Sequence, residues 1–181
     1  NNVDLNRSFV TGEIPEGYNS EYIKSSWFFK PSALSISGSK NNLAFFRSLA
    51  KVIAANGTAA LGKMTLLGQY EVEDGIYFGG KKEQTETAYM KKLFRSILES
   101  EYKKVVHIDL HTGYGPRYQM SIVNSKQEGI KPEKFSKLLD YPLVSSVSNE
   151  DFYDIQGDMT EYFYSLFNSD GSNKSYYSTC F

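Results

Sequence analysis

Lys104-Val-Val-His-Ile-Asp-Leu-His111 decides the fold, and Thr-Gly-Tyr-Gly-Pro116 follows it at once. The middle of the first stretch is β-branched and apolar, which predicts a buried β-strand, and the glycines and proline after it predict a loop. Apolar residues recur every three or four positions from Thr85 to Tyr102, which predicts a helix before the strand. A helix that leads into such a strand is the repeating unit of α/β proteins, whose ligands bind beyond the carboxyl ends of the strands. His111 is expected at such an end.

The rest of the chain adds further helices and short strands to this unit. No repeat and no interdomain linker is visible, so we expect one α/β domain over residues 1–181. The same periodicity arguments predict helices at Asn41 to Ala55, Pro132 to Leu139 and Asp158 to Phe167, and strands at Gln119 to Val123, Leu143 to Val147 and Tyr176 to Phe181.

Composition and charge exclude several classes of protein. The chain is 40% hydrophobic and 23% charged, which is enough apolar surface for a folded core. Its formal net charge is −1 with both signs interspersed, so a nucleic-acid partner is not expected. No apolar run reaches the ~18 to 20 residues that cross a bilayer, so no membrane partner is expected either. Cys180 is the only cysteine, which excludes an internal disulfide and a multi-cysteine zinc site and leaves the compartment open.

The two histidines, His107 and His111, are four residues apart. On a helix this spacing places both on one face, as in zincin proteases, but Ile108 stands where the zincin motif has Glu. In a strand, four residues span roughly 13 Å, too far for both imidazoles to bind one metal ion at about 2 Å. His111 at the strand end is the better ligand candidate. The alternative is a histidine that is hydrogen-bonded in the core or a loop, with Asp109 as a strand-end partner.

Three segments carry a resemblance to a known family. They are Asn2-Val-Asp-Leu-Asn6-Arg7-Ser-Phe9, His107-Ile-Asp-Leu-His111-Thr-Gly-Tyr-Gly-Pro116 and Tyr153-Asp-Ile-Gln-Gly157-Asp-Met-Thr-Glu161-Tyr162. In this order they resemble the zinc carboxypeptidase family, in particular its branch of uncharacterised metallopeptidase-like proteins. Aspartoacylase and succinylglutamate desuccinylase are more distant relatives of that branch.

The resemblance implies a fold, an activity and a set of site residues. It implies a three-layer α/β fold with a mixed, mostly parallel sheet flanked by helices. By its alignment, Asn6 and Arg7 hold the substrate's free carboxylate, His111 is a zinc ligand, and Tyr153 is a catalytic residue that hydrogen-bonds the substrate or transition state. A guanidinium suits that role because its planar fork matches a carboxylate. The implied reaction is zinc-dependent cleavage of an amide bond next to the carboxylate of a peptide C-terminus or an N-acyl amino acid.

Other parts of the family pattern do not occur in this sequence. The family holds its single zinc ion with a His-x-x-Glu pair as well, and no such pair is present in these 181 residues. We expect that pair in sequence before Asn1, and the family's general base, a Glu, directly after Phe181. Glu161 is rejected as a substitute because it lies inside a predicted helix. The chain is therefore expected to be truncated at both ends and inactive by itself.

Two other interpretations remain open at this point. The chain can be a non-catalytic domain that binds a carboxylate ligand with the same fold, or a structural domain whose similarity arises by chance. The stretches Gly68-Gln-Tyr70 and Gly75-Ile-Tyr-Phe-Gly79-Gly80 also resemble a glycine-rich loop of the branch. For that loop we predict only turns and close backbone approach, with no catalytic role.

Overall fold

The computed structural model describes residues 2–14, 16–30, 37–111, 116–146, 155–171 and 173–181. It is a mixed α/β structure in which helices flank a single sheet. In chain order the elements are a 3-10 helix at Leu5–Arg7, α1 Ser20–Lys24, α2 Ser26–Phe29, α3 Gly38–Asn56, α4 Thr58–Leu66, α5 Thr85–Glu99, β1 Lys104–Asp109, β2 Ile122–Asn124, α6 Pro132–Leu139, β3 Val144–Ser146, α7 Met159–Ser169 and β4 Ser175–Cys180.

The sheet has four strands in the order β1-β4-β2-β3. β1 runs parallel to β4, with Asp109 opposite Cys180, and β2 runs parallel to β3. β2 and β4 are antiparallel, so the sheet is mixed and mostly parallel, as predicted. Phe181 continues the β1 pairing beyond the strand, because its N–H donates to the Asp109 carbonyl at 2.9 Å and its carbonyl accepts from the His111 N–H at 2.9 Å.

Helices cover both faces of β4, which gives the predicted three layers. On one face, Tyr176 packs with Phe167 of α7 at a ring distance of 5.0 Å. On the other, Tyr177 stacks on Phe135 of α6 at 4.5 Å. Neighbouring residues of a strand point to opposite faces, so these two contacts lie on opposite sides of the sheet. The main core cluster lies on the α7 side and its buried members are Phe9, Phe94, Tyr162, Phe163, Tyr164 and Phe167.

The environment of β1 differs from the prediction. The sequence predicts a strand buried on both faces, but its residues alternate between half-buried and exposed. Val106 is 65% exposed and Ile108 is 52% exposed, whereas Val105 packs against the core cluster. The reason is the position of β1 at the edge of the sheet, where the described helices α5 and α7 cover only one face. Residues 112–115, in the loop predicted after it, lie outside the described residues.

A second, smaller core cluster joins the helices of the first half of the chain. Tyr22, Val52 and Met64 are fully buried there and connect α1, α3 and α4. α3 ends at Asn56, one residue after the predicted end at Ala55, because Gly57 has φ +83° and its N–H donates to the Ile53 carbonyl at 2.8 Å. Among the described residues, no helix has both the length and the apolar character that crossing a membrane requires.

Candidate functional site

Asn6 and Arg7 lie in the 3-10 helix, which Asp4 caps by accepting a hydrogen bond from the Asn6 N–H at 3.0 Å. Arg7 is only 9% exposed. Its Nη1 donates to the Asn6 carbonyl at 2.9 Å and its Nη2 donates to the Leu66 carbonyl at 2.8 Å. Its Nε has no hydrogen-bond partner in the described part of the chain, and no carboxylate there forms an ion pair with the guanidinium. Arg7 is therefore a buried cation held by neutral carbonyl groups.

His111 follows β1, and both of its ring nitrogens have a polar neighbour. Nε2 lies 2.8 Å from Asp109 Oδ2, and Nδ1 lies 3.4 Å from the Asn6 side-chain nitrogen. The hydrogen bond to Asp109 raises the pKa of His111, and burial opposes this shift. If the ionised Asp109 accepts the Nε2 proton, Nδ1 keeps its lone pair and points towards Asn6. The structure thus brings the predicted residues Asn6 and His111 together.

His107 has a different surrounding, as its place inside the strand suggested. Its ring stacks on Phe163 with a centroid distance of 5.4 Å, and its Nδ1 lies 2.7 Å from the Ser178 hydroxyl. Burial lowers the pKa of His107. These contacts belong to the main core cluster, so His107 is a structural histidine.

Asp158 is a member of the site that the sequence argument missed. It caps α7 by accepting a hydrogen bond from the Glu161 N–H at 2.9 Å. Burial raises the pKa of Asp158, the charges of Glu161 and Asp109 raise it further, and the charge of Arg7 opposes them. The Asp-Met-Thr-Glu pattern could have predicted the cap. Its closeness to Arg7 and Asp109 depends on residues distant in sequence.

Glu161 and Tyr153 complete the set of residues considered from the sequence. The carboxylate of Glu161 accepts hydrogen bonds from the Ser125 hydroxyl at 2.7 Å and from the Gln127 side chain at 2.9 Å. These contacts fix it beside β2 rather than beside His111. Tyr153 lies outside the described residues, so its predicted catalytic role stays a prediction.

A cavity of about 390 Å³ opens beside His111, within the size range of small-molecule sites. It lies between the 3-10 helix, α5, the end of β1 and the start of α7. Its surface is mostly apolar, with polar side chains from the 3-10 helix, α5 and the end of β1. Its lining residues are Leu5, Asn6, Phe9, Glu86, Thr87, Met90, Asp109, Leu110, His111 and Met159.

The residues near His111 can supply one ligand of a zinc site, but they do not form a complete zinc site. An imidazole whose second nitrogen binds a carboxylate is the usual arrangement of a zinc-bound histidine. A protein zinc site, however, uses three or four protein ligands. In residues 2–14, 16–30, 37–111, 116–146, 155–171 and 173–181, no group of three or more His, Cys, Asp or Glu side chains is placed to hold a metal ion.

A family assignment follows from comparison with known proteins. A family described as a protein of unknown function, DUF2817, matches residues 1–177. The chain belongs to the DUF2817 family. No curated protein and no solved structure matches the chain. The description of this family names no activity, so the resemblance to zinc carboxypeptidases stays a prediction that the DUF2817 match leaves untested.

Proposed function

We propose that this DUF2817 chain is part of a zinc-dependent hydrolase of the carboxypeptidase type. It cleaves an amide bond next to a free carboxylate, in a peptide C-terminus or an N-acyl amino acid. The single observation that carries the proposal is the arrangement around Asn6 and Arg7. Arg7 is buried and forms no ion pair with a carboxylate of the described residues, and the side chain of its neighbour Asn6 approaches His111, which is paired with Asp109.

Arg7 suits an anionic ligand because no carboxylate of the described residues forms a direct ion pair with its guanidinium. A guanidinium has five N–H groups, and within the described residues that of Arg7 donates two hydrogen bonds, both to carbonyl oxygens. Burying a cation without a counter-ion is unfavourable, so the fold bears a free-energy cost that a bound carboxylate would offset. A carboxylate can accept two parallel N–H bonds from the fork of an arginine. Asn6 adds an amide donor on the side that faces His111.

His111 supplies the proposed link to a metal ion. Asp109 orients the ring through Nε2, which leaves Nδ1 as the nitrogen for coordination. A zinc ion at such a site polarises water for attack on an amide carbonyl and stabilises the negative charge that develops on the oxygen. On this proposal the other zinc ligands and the general base come from outside the described residues.

A non-catalytic carboxylate-binding domain is the second candidate. One observation favours it: the described residues provide a buried cation for an anion but only one well-placed metal ligand. This candidate shares the role of Arg7 with the first and differs only in the role of His111. The two can therefore be separated by experiments on these two residues.

Ligand binding tests the part that both candidates share. N-acetyl-L-phenylalanine is titrated by calorimetry into the wild-type chain, Arg7→Met and Arg7→Lys, and its uncharged amide serves as the control ligand. We expect the acid to bind and the amide to bind at least ~10-fold more weakly, since hydrogen bonds to charged groups contribute about 1.5 to 3 kcal/mol. Arg7→Met should lose the preference, Arg7→Lys should lose most of it, and the exposed Arg95→Met should keep it. Equal affinity for the acid and the amide would contradict both candidates.

Zinc binding separates the zinc-dependent hydrolase from the non-catalytic carboxylate-binding domain. If His111 is a ligand, zinc should shift its ring NMR signals in the wild-type chain, and His111→Asn should bind zinc more weakly than the wild type. His107→Gln is the matched control, because it alters the core histidine and leaves His111 in place. Zinc binding that is the same in His111→Asn and the wild type would favour the non-catalytic domain.

A further inference from the structure

The glycine-rich stretch from Gly68 to Gly80 has no part in the chemistry proposed above, yet it encloses Arg7. A Cβ atom at Gly68 would lie 2.7 Å from Arg7 Cδ, and one at Gly79 would lie 2.7 Å from the Arg7 carbonyl oxygen. Both distances are shorter than a Cβ contact allows. Gly68 has no room for a side chain because that of Arg7 passes directly against it. At Gly79 the ring of Tyr70, 2.2 Å from such a Cβ, and the Arg7 main chain together leave no room.

Tyr70 lies in this stretch and reaches two separate segments through one hydroxyl. Its Oη lies 2.6 Å from the Arg7 carbonyl oxygen and 3.0 Å from the Gln156 carbonyl oxygen. We propose that Tyr70 is a positioning residue, whose hydroxyl fixes the Arg7 main chain against the turn at Gln156 and Gly157 and so holds the anion site in shape. The effect on ligand binding rests on the proposed function, whereas the link between the two segments does not.

Further contacts join the same two segments. The Phe9 N–H donates to the Gly157 carbonyl at 2.9 Å, directly beyond Arg7. A Cβ at Gly157 would lie only 2.2 Å from the Arg7 carbonyl oxygen. Tyr18 holds the turn from the other side, because its hydroxyl accepts the Gln156 N–H at 3.1 Å. The ring of Tyr18 meets that of Tyr70 edge-on at 5.9 Å.

The hydroxyl of Tyr70 is suited to this role because it stays protonated. Burial raises its pKa well above the ordinary value, the negative charges of neighbouring groups add to this, and the charge of Arg7 opposes it. One O–H proton is shared between two carbonyl oxygens, so both segments must stay within reach of the same hydroxyl to keep this contact. Asp158 directly follows this turn, and its carboxylate is close enough to Arg7 for each charge to affect the other.

Tyr70→Phe tests the proposal, with Tyr22→Phe as the matched control. Tyr22 is fully buried and Tyr70 half-buried, and the hydroxyl of Tyr22 donates to the Ile76 carbonyl at 2.8 Å instead of to Arg7 or Gln156. Both variants keep the ring and lose one hydroxyl, so their overall stabilities should fall by similar amounts. Two measurements then separate a local effect on the Arg7 segment from a loss of overall stability. They are hydrogen exchange of the Phe9 amide by NMR and the affinity for N-acetyl-L-phenylalanine by calorimetry.

We expect Tyr70→Phe to speed exchange at Phe9 and to weaken binding, each by about fivefold relative to Tyr22→Phe. If Phe9 exchanges at the same rate in both variants, the positioning role is overturned. Faster exchange with unchanged affinity would overturn the effect on the anion site. A third outcome is faster exchange in Tyr70→Phe while the wild type binds the acid and its amide equally well. This result would support the link between the Arg7 segment and the turn at Gln156, and it would refute the proposed function. Tyr18→Phe, which loses the acceptor of the Gln156 N–H, is the second variant and should show the same pattern if Tyr70→Phe does not fold.

Discussion

Replacing Gly157 by alanine should destabilise the chain more than the same change at Gly171. Both glycines have positive φ, +73° and +65°, so both replacements place alanine in the left-handed region. That strain costs about 1 to 2 kcal/mol in either case. At Gly157 the new Cβ would also lie 2.2 Å from the Arg7 carbonyl oxygen and 2.5 Å from its carbonyl carbon. At Gly171, the adjacent residues of the chain aside, no atom of the described residues lies within 4 Å of the new Cβ. The contact with Arg7 adds about 1 to 3 kcal/mol, the usual range for overpacking.

Urea unfolding followed by circular dichroism measures both changes. We expect Gly157→Ala to lower the free energy of unfolding by about 1 to 3 kcal/mol more than Gly171→Ala does. The loss of chain entropy in the unfolded state stabilises both variants by about 0.4 to 1 kcal/mol, so it cancels in the comparison. If the two variants differ by less than about 0.5 kcal/mol, the close approach of Gly157 to Arg7 does not exist in the folded chain.

The core histidine, the aromatic core and the edge strand give three more expected outcomes. Burial lowers the pKa of His107 in the folded chain below its ordinary value of 6.5. As the pH falls through about 6.5, the unfolded chain therefore binds a proton at this residue before the folded chain does. The stability that the neutral ring contributes is present above about pH 6.5 and is lost below it. Between about pH 7.5 and 5.5, wild-type stability relative to His107→Gln should therefore fall, and a constant difference would contradict this. Phe163→Ala should lower the free energy of unfolding, measured with urea, by about 3 to 5 kcal/mol, because the ring is fully buried and stacks on Phe167 at 4.3 Å. A loss below about 1 kcal/mol would contradict this packing. Ile108 of β1 is 52% exposed, so Ile108→Thr should change the free energy of unfolding by less than about 0.5 kcal/mol. Ile122 of β2 is 4% exposed, so Ile122→Thr should lower it by more than about 1 kcal/mol. Equal losses would place β1 inside the sheet.

Local sequence patterns predicted most of the secondary structure. The bounds of α6 agree with the prediction, because Pro132 and the apolar period mark its start and length without help from the rest of the chain. The strands are displaced by a few residues, as β2 begins at Ile122 instead of Gln119. The short helices α1, α2 and α4 were not predicted, since four to nine residues carry too little periodic pattern.

The error at β1 has a nonlocal cause. A run of β-branched residues indicates a strand, but it does not say whether one or both faces are covered. Val106 and Ile108 would suit a central strand equally well, and only the order of the strands in the sheet places them at an edge. The sequence therefore determined that a strand leads to His111, and tertiary structure decided which of its side chains are buried.

The candidate site divides in the same way. The sequence by itself determined that an arginine, an amide and a strand-end histidine stand in the order typical of one family, because those features are local or depend on order alone. Tertiary structure decided that Arg7 is buried without an ion pair among the described residues, that its charge acts on Asp158, and that Tyr70 contacts carbonyl groups 63 and 86 residues away. Such contacts depend on how distant segments pack, and one sequence contains no periodic signal for them.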